Sequence, residues 1–146
     1  MMLESDLLYA FVKKEDRLKP VAERVIQQVA EGRHGTVHAS REVLHELYYV
    51  SMHEGVTLDQ YITRAASLTA IPNLVFLPTT HEVDLLALTL MKQYRLSSIF
   101  DAYHAATALN QDPDHTMVST DHVYEKIPGL NLVHPEKLVN PKLKTT

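Results

Sequence analysis

"FDAYHAATALN" (Phe100–Asn110) and "TMVSTDHVY" (Thr116–Tyr124) hold, within one short span, the pattern that decides how this chain folds. In the first, Ala102, Ala105, Ala106 and Leu109 recur at helical spacing, so the segment reads as an alanine-rich helix. In the second, a short apolar run stops at Ser119, which reads as a buried strand. Two acids mark these pieces: Asp101 opens the helix and Asp121 follows the strand. Each has an ordinary structural use. Asp121 can cap the next helical turn, since its carboxylate accepts from free backbone N–H groups. Asp101 can complete a capping box with Ser98.

Working outward, the same alternation recurs. The opening "MMLESDLLYAFVKKED" gives a very short apolar start and then a helix from about Ser5 to Lys14. A helix over Lys19–Glu31 carries Val21, Val25, Ile26 and Val29 at helical spacing, with Pro20 suited to its first turn. "GTVHAS" reads as a strand ending at Ser40, and "REVLHELYYVSM" as a helix with Val43, Leu44, Leu47 and Val50 on one face. Then come a helix capped by Thr57, the strand "NLVFL", a long helix opened by Thr79 or Thr80, and a last strand "LNLV". Strands alternating with helices predict an α/β fold: a central parallel sheet with helices on both faces, a three-layer α/β/α domain. One domain is expected over residues 1–134, with 135–146 a loosely held tail.

The 146-residue length fits a single domain with a substantial core. A hydrophobic content of 45% with 22% charged residues excludes a disordered chain. No apolar run reaches the roughly 18 residues of a spanning helix, and no signal peptide is expected at the N-terminus. The absence of cysteine removes disulfides and thiol chemistry and fits a reducing cytoplasm. A net charge of −4 argues against a general polyanion binder. It leaves room for an enzyme that acts on a polyanion through metal-holding carboxylates.

Four acids fall at equivalent places. Glu4 follows the first apolar segment, Asp121 follows "TMVS", and Asp101 opens its helix at the edge of the alanine face. Glu46 lies about 90° from the centre of the Val43–Leu47–Val50 stripe, and Glu42 roughly 130°, at 100° per residue. Glu46 is therefore expected to be the more buried of the two. Singly, Glu4 reads as a terminal residue, Glu46 as a solvated helix charge and the aspartates as caps. Jointly they converge, because the topology brings all four to one end of one sheet, where ligands of such sheets bind. Carboxylates packed together at neutral pH need protons or a cation. Oxygen ligands favour a hard ion, Mg²⁺ or Mn²⁺, which can acidify a water and stabilise a phosphoryl group in transfer.

With these acids placed, the chain resembles the PIN-domain ribonucleases found as VapC-type toxins, over nearly its whole length from Glu4 to about Val133. "ESDLLYAF" is similar to the acid that opens the family pattern and its apolar helix, with glutamate where the family has aspartate. "REVLHELYYV" matches the segment of the second acid at Glu46. "IFDAYHAATAL" resembles the Asp–Ala–x–x–Ala–Ala helix and assigns Asp101, the most specific match. "MVSTDHVY" resembles the last motif, with Ser119 two places before Asp121. The resemblance implies a Mg²⁺- or Mn²⁺-dependent ribonuclease acting on single-stranded RNA, commonly a homodimer held inactive by an antitoxin. It further implies metal ligation by Glu4, Glu46, Asp101 and Asp121, with Ser119 orienting a carboxylate or a water. Asp6 can supply or share the first ligand; otherwise it is a charge favourable at a helix N-terminus. The alternatives are a non-catalytic PIN-fold module that binds RNA or protein, or an RNA-processing nuclease outside a toxin–antitoxin pair.

Other constellations carry less. His45, Glu46 and His53 lack the His–Glu–x–x–His zinc spacing. His104, three residues after Asp101, can approach the site, although a packed or surface histidine is the ordinary reading. No glycine-rich loop follows a strand, which disfavours dinucleotide and P-loop binding. Lys13, Lys14, Arg17, Lys19 and Arg41 are candidates to contact RNA phosphates at the rim, or simply solvated charges.

Overall fold

The computed structural model describes residues 1–142. Five parallel strands form one sheet: β1 (Met2–Leu3), β2 (Val37–Ser40), β3 (Leu74–Leu77), β4 (Thr116–Val118) and β5 (Asn131–Val133), in the order β3-β2-β1-β4-β5. Seven helices join them among the described residues: α1 (Ser5–Val12), α2 (Lys19–Ala30), α3 (Glu42–His53), α4 (Leu58–Thr69), α5 (His81–Tyr94), α6 (Ile99–Gln111) and α7 (Pro135–Val139). The three-layer α/β/α arrangement is as the alternation predicted. No helix among the described residues is long and apolar enough to cross a membrane.

The period-two geometry of strands divides the core. Leu3, Val37, Ala39 and Val118 face one side and pack against α1, α2, α3 and α4. Met2 and Met117 face the other, against Val83, Ala87 and Leu90 of α5 and the alanines of α6. The small alanine side chains let α6 lie close beneath the sheet, and all of Ala102, Ala105, Ala106 and Ala108 are buried.

β1 has only two residues, yet it is the central strand. Met2 pairs with His38 on one side and Met117 on the other, and the Glu4 N–H still donates to the Val118 carbonyl at 3.1 Å. The chain builds out from β1 through β2 to β3, then returns to the opposite side of β1 for β4 and β5. That reversal opens a crevice at the carboxyl ends of β1 and β4, where Glu4 and Ser119 stand.

Local signals stop and start the helices as expected. Thr57 caps α4 by accepting from the Gln60 N–H at 3.2 Å, while the Gln60 side chain returns to the Thr57 N–H at 3.0 Å. Thr57→Ala removes half of this reciprocal pair and is expected to lower the unfolding free energy by about 1 kcal/mol. A shift of the urea midpoint without a change in slope checks it. Of the stretch read as a loose tail, residues 135–139 form α7. Val139 is buried, and its carbonyl accepts from Arg24 of α2 at 3.1 Å. The final residues, 143–146, lie outside the described ones.

Candidate active site

Each acid reaches the crevice for a local reason. Glu4 directly follows β1 and is the N-cap of α1, accepting from the Asp6 N–H at 3.3 Å. Glu46 projects from the second turn of α3, Asp101 sits in the first turn of α6, and Asp121 follows β4. All four, with Asp6, line one cavity of about 400 Å³.

The caps proposed for the aspartates are partly real. Asp121 accepts from the Val123 N–H at 2.9 Å and starts a 3₁₀ turn, His122–Lys126. It therefore caps and lines the cavity at once. At α6 it is the Ser98 hydroxyl that accepts from the Asp101 N–H, at 3.4 Å. The Asp101 carboxylate is turned instead toward the Tyr124 hydroxyl, 3.4 Å away.

Glu4 is 4% exposed and accepts from the Ser5 hydroxyl. The Ser119 hydroxyl lies 3.0 Å from Glu4 and 3.3 Å from Asp6, donating to one at a time, while it accepts from the Asp121 N–H at 3.0 Å. Ser119 is thus a buried hub between three acids. Asp6 latches α1 to the loop after β4, accepting from the N–H and hydroxyl of Thr120 at 2.8 and 2.6 Å.

Crowding governs the electrostatics. Burial, then the Asp6 carboxylate, pushes Glu4 up to about 8, with His104 pulling the other way. Burial, then Asp121 and Glu46, pushes Asp101 up to about 6. Glu46 ends below its ordinary value: burial raises it, but the hydrogen bond and charge of His104 outweigh that. His104 is raised, because its carboxylate neighbours overcome the opposing effect of burial. Charges so arranged call for a counter-cation or shared protons. The donor atoms of Glu4, Glu46 and His104 lie within 4.8 Å of one another, a spacing that a single ion can span.

The structure departs from the sequence in three respects. Glu42 is no more exposed than Glu46, their side chains being 13% and 18% exposed. Thr79 donates to Glu42 at 2.8 Å, so contact from the loop after β3 outweighs the helical-wheel angle. His104, given only a minor place from sequence, is buried between Glu4 and Glu46. Its spacing from Asp101 was visible, but the partner on α3 was not. Tyr124, buried against Asp101, was not singled out at all; an aromatic three residues after Asp121 gives little local signal.

The basic residues stay at the rim or beyond it. Lys13 pairs with Asp16 and Glu54 at 3.4 and 3.8 Å. Lys19 donates to the Phe11 carbonyl at 2.7 Å. Lys14 and Arg41 are exposed and line no part of the acidic cavity. Arg17 lies in a second groove, which shares Asp6, Tyr9 and Thr120 with that cavity.

A family model described as the PIN domain matches residues 1–130. Among solved structures, the chain is similar to one in the crystal structure of VapBC2 from Rickettsia felis bound to a DNA fragment from their promoter. The TM-score is 0.68 at 18% identity, covering 91% of this chain and 96% of that one. It is also similar to VapC20 of Mycobacterium tuberculosis, described as a sarcin–ricin loop cleaving toxin. There the TM-score is 0.65 at 16% identity, covering 82% and 88%. At these identities the likeness is one of fold. No curated protein matches the chain.

Proposed function

The chain belongs to the PIN domain family, and from that premise we propose that it is a metal-dependent ribonuclease hydrolysing phosphodiester bonds of single-stranded RNA. The observation that carries this reading is the convergence of Glu4, Glu46, Asp101 and Asp121 on one cavity, with Glu4 and Asp101 pushed up to about 8 and 6. Those residues suit a hard cation, and Glu4, Glu46, Asp101 and Asp121 would hold it directly or through water. Bound there, Mg²⁺ or Mn²⁺ would supply an acidified water and positive charge for in-line displacement at phosphorus. Ser119 keeps Glu4 in place, and Tyr124 steadies Asp101. Asp6, engaged by Thr120, holds the loop that carries Asp121 and stays available as a fifth acid. Arg17, in the groove that shares Asp6, Tyr9 and Thr120 with the acidic cavity, would take a flanking phosphate; Lys13 and Arg41 line neither cavity.

The folds of VapBC2 and VapC20 support placing the protein as the toxin of a toxin–antitoxin pair. On this reading it is a cytoplasmic homodimer restrained by an antitoxin. One observation favours a second reading, a non-catalytic binding module: Glu4 is already satisfied by Ser5, Ser119 and the α1 backbone.

Cleavage of a labelled, mixed-sequence single-stranded RNA in Mn²⁺, with and without chelator, separates the two. The nuclease cuts only without chelator; a binding module binds Mn²⁺ and cuts under neither condition. Among variants of the nuclease, Glu4→Gln is expected to slow cleavage by at least about tenfold, because a hard cation needs the charge. Glu4→Asp should also change the rate, since the shorter side chain moves the carboxylate. Asp6→Asn should cost far less, as an amide oxygen still accepts from Thr120. The reverse order, with Asp6→Asn inactive and Glu4→Gln active, would make Asp6 the first ligand.

A further inference from the structure

We propose that His104 is a positioning residue that fixes the Glu46 carboxylate for the cation; this rests on the metal-dependent reading above. His104 is 1% exposed and lies on α6 three residues after Asp101. Its Nε2 donates to Glu46 Oε1 at 2.8 Å and stands 3.9 Å from Glu4 Oε1. In the neutral ring and the imidazolium alike, Nε2 carries the proton that Glu46 accepts.

His104 is the geometric hydrogen-bond donor to the Glu46 side chain; the Ser5 hydroxyl, which also lies near it, donates to Glu4. Glu46 reaches the cavity at the end of a long, flexible side chain that is still 18% exposed. Without a partner it gains rotamer freedom by swinging toward solvent. The imidazole therefore decides whether the second acid is pre-set or must be gathered when the ion arrives.

The other ring nitrogen argues in the same direction. Nδ1 is buried with no hydrogen-bond partner among the described residues. A buried polar atom left unsatisfied opposes folding, and an aliphatic side chain of similar volume would fill the space between α3 and α6 without leaving Nδ1 unpaired. Packing alone gives no reason for a histidine here. The hydrogen bond to Glu46 does.

The test compares wild type with His104→Leu, which keeps the bulk, and His104→Gln, which keeps a side-chain N–H donor. Three measurements are made: Mn²⁺ affinity by calorimetry, melting temperature in chelator, and the electron paramagnetic resonance of Mn²⁺ bound to wild type. The expected result is that His104→Leu loses at least about tenfold in Mn²⁺ affinity, the scale of an outer-shell partner, while its melting temperature in chelator stays well above the temperature of the titration. His104→Gln recovers most of the affinity. Equal Mn²⁺ affinity in wild type and His104→Leu overturns the role of His104 alone. So does a fall in the chelator melting temperature of His104→Leu that accounts for its lost affinity, with no recovery in His104→Gln. A nitrogen hyperfine coupling on Mn²⁺ bound to wild type also overturns it, by making the imidazole a direct ligand. No Mn²⁺ binding by wild type removes the metal site itself, and this role with it.

Discussion

Asp101→Asn is expected to fold normally and to cleave single-stranded RNA at least about a hundredfold more slowly than wild type, the scale of losing one electrostatic stabiliser. The two uses of this residue separate cleanly. The cap at the start of α6 comes from the Ser98 hydroxyl, which accepts from the Asp101 backbone N–H. Changing the side chain to an amide leaves that bond in place. The Tyr124 hydroxyl can donate to an amide oxygen as it does to the carboxylate. What asparagine removes is negative charge, which Asp121 and Glu46 already oppose in the metal-free protein. Stability in chelator should therefore hold or rise, while cation affinity and transition-state stabilisation fall together. Rates on a labelled RNA in Mn²⁺, with circular dichroism to establish folding, decide the matter. Equal rates from an active wild type would sink the site proposed here.

The metal-free protein is expected to lose stability as pH rises from about 4.5 to about 8, and Mn²⁺ to restore it. Glu4 is raised from 4.5 to about 8, and Asp101 from 3.8 to about 6, so the folded chain holds more protons than the unfolded one across this range. Unfolding stability then falls with rising pH until the raised groups have ionised. The raised His104 acts in the same sense, losing its contribution as pH climbs past its folded value. Glu46, shifted down, acts oppositely and only on the acid side, where its stabilisation fades as pH falls. A cation binding the ionised carboxylates relieves the repulsion, so its effect is largest at the alkaline end. At about a hundred times its dissociation constant it adds about 2.7 kcal/mol, or roughly 5–10 °C in a domain of this size. Melting curves at pH 5 and pH 8, with Mn²⁺ and with chelator, read both trends. Asp101→Asn/Asp121→Asn should respond little to Mn²⁺; a shift equal to that of wild type would place the ion elsewhere.

The elements and the layers were legible along the chain, because those rest on short-range periodicities. Apolar residues at helical spacing in α2, α3 and α6 and runs such as "NLVFL" record which way each segment faces, and the caps at Thr57, Thr80 and Ser98 sit beside the backbone they satisfy. The ends of the strands were legible for the same reason, and Glu4 and Asp121 with them. Which side chains meet across elements emerged from the folded chain. Thr79 reaches Glu42 from another loop, Asp6 is held by Thr120, and His104 meets Glu46 across 58 residues of chain. Such pairs leave no periodic trace, because each partner's own helix places it well enough on a surface or a core face. What turns them into a site is the chain reversal at β1, which brings α1, α3, α6 and the loop after β4 around one crevice.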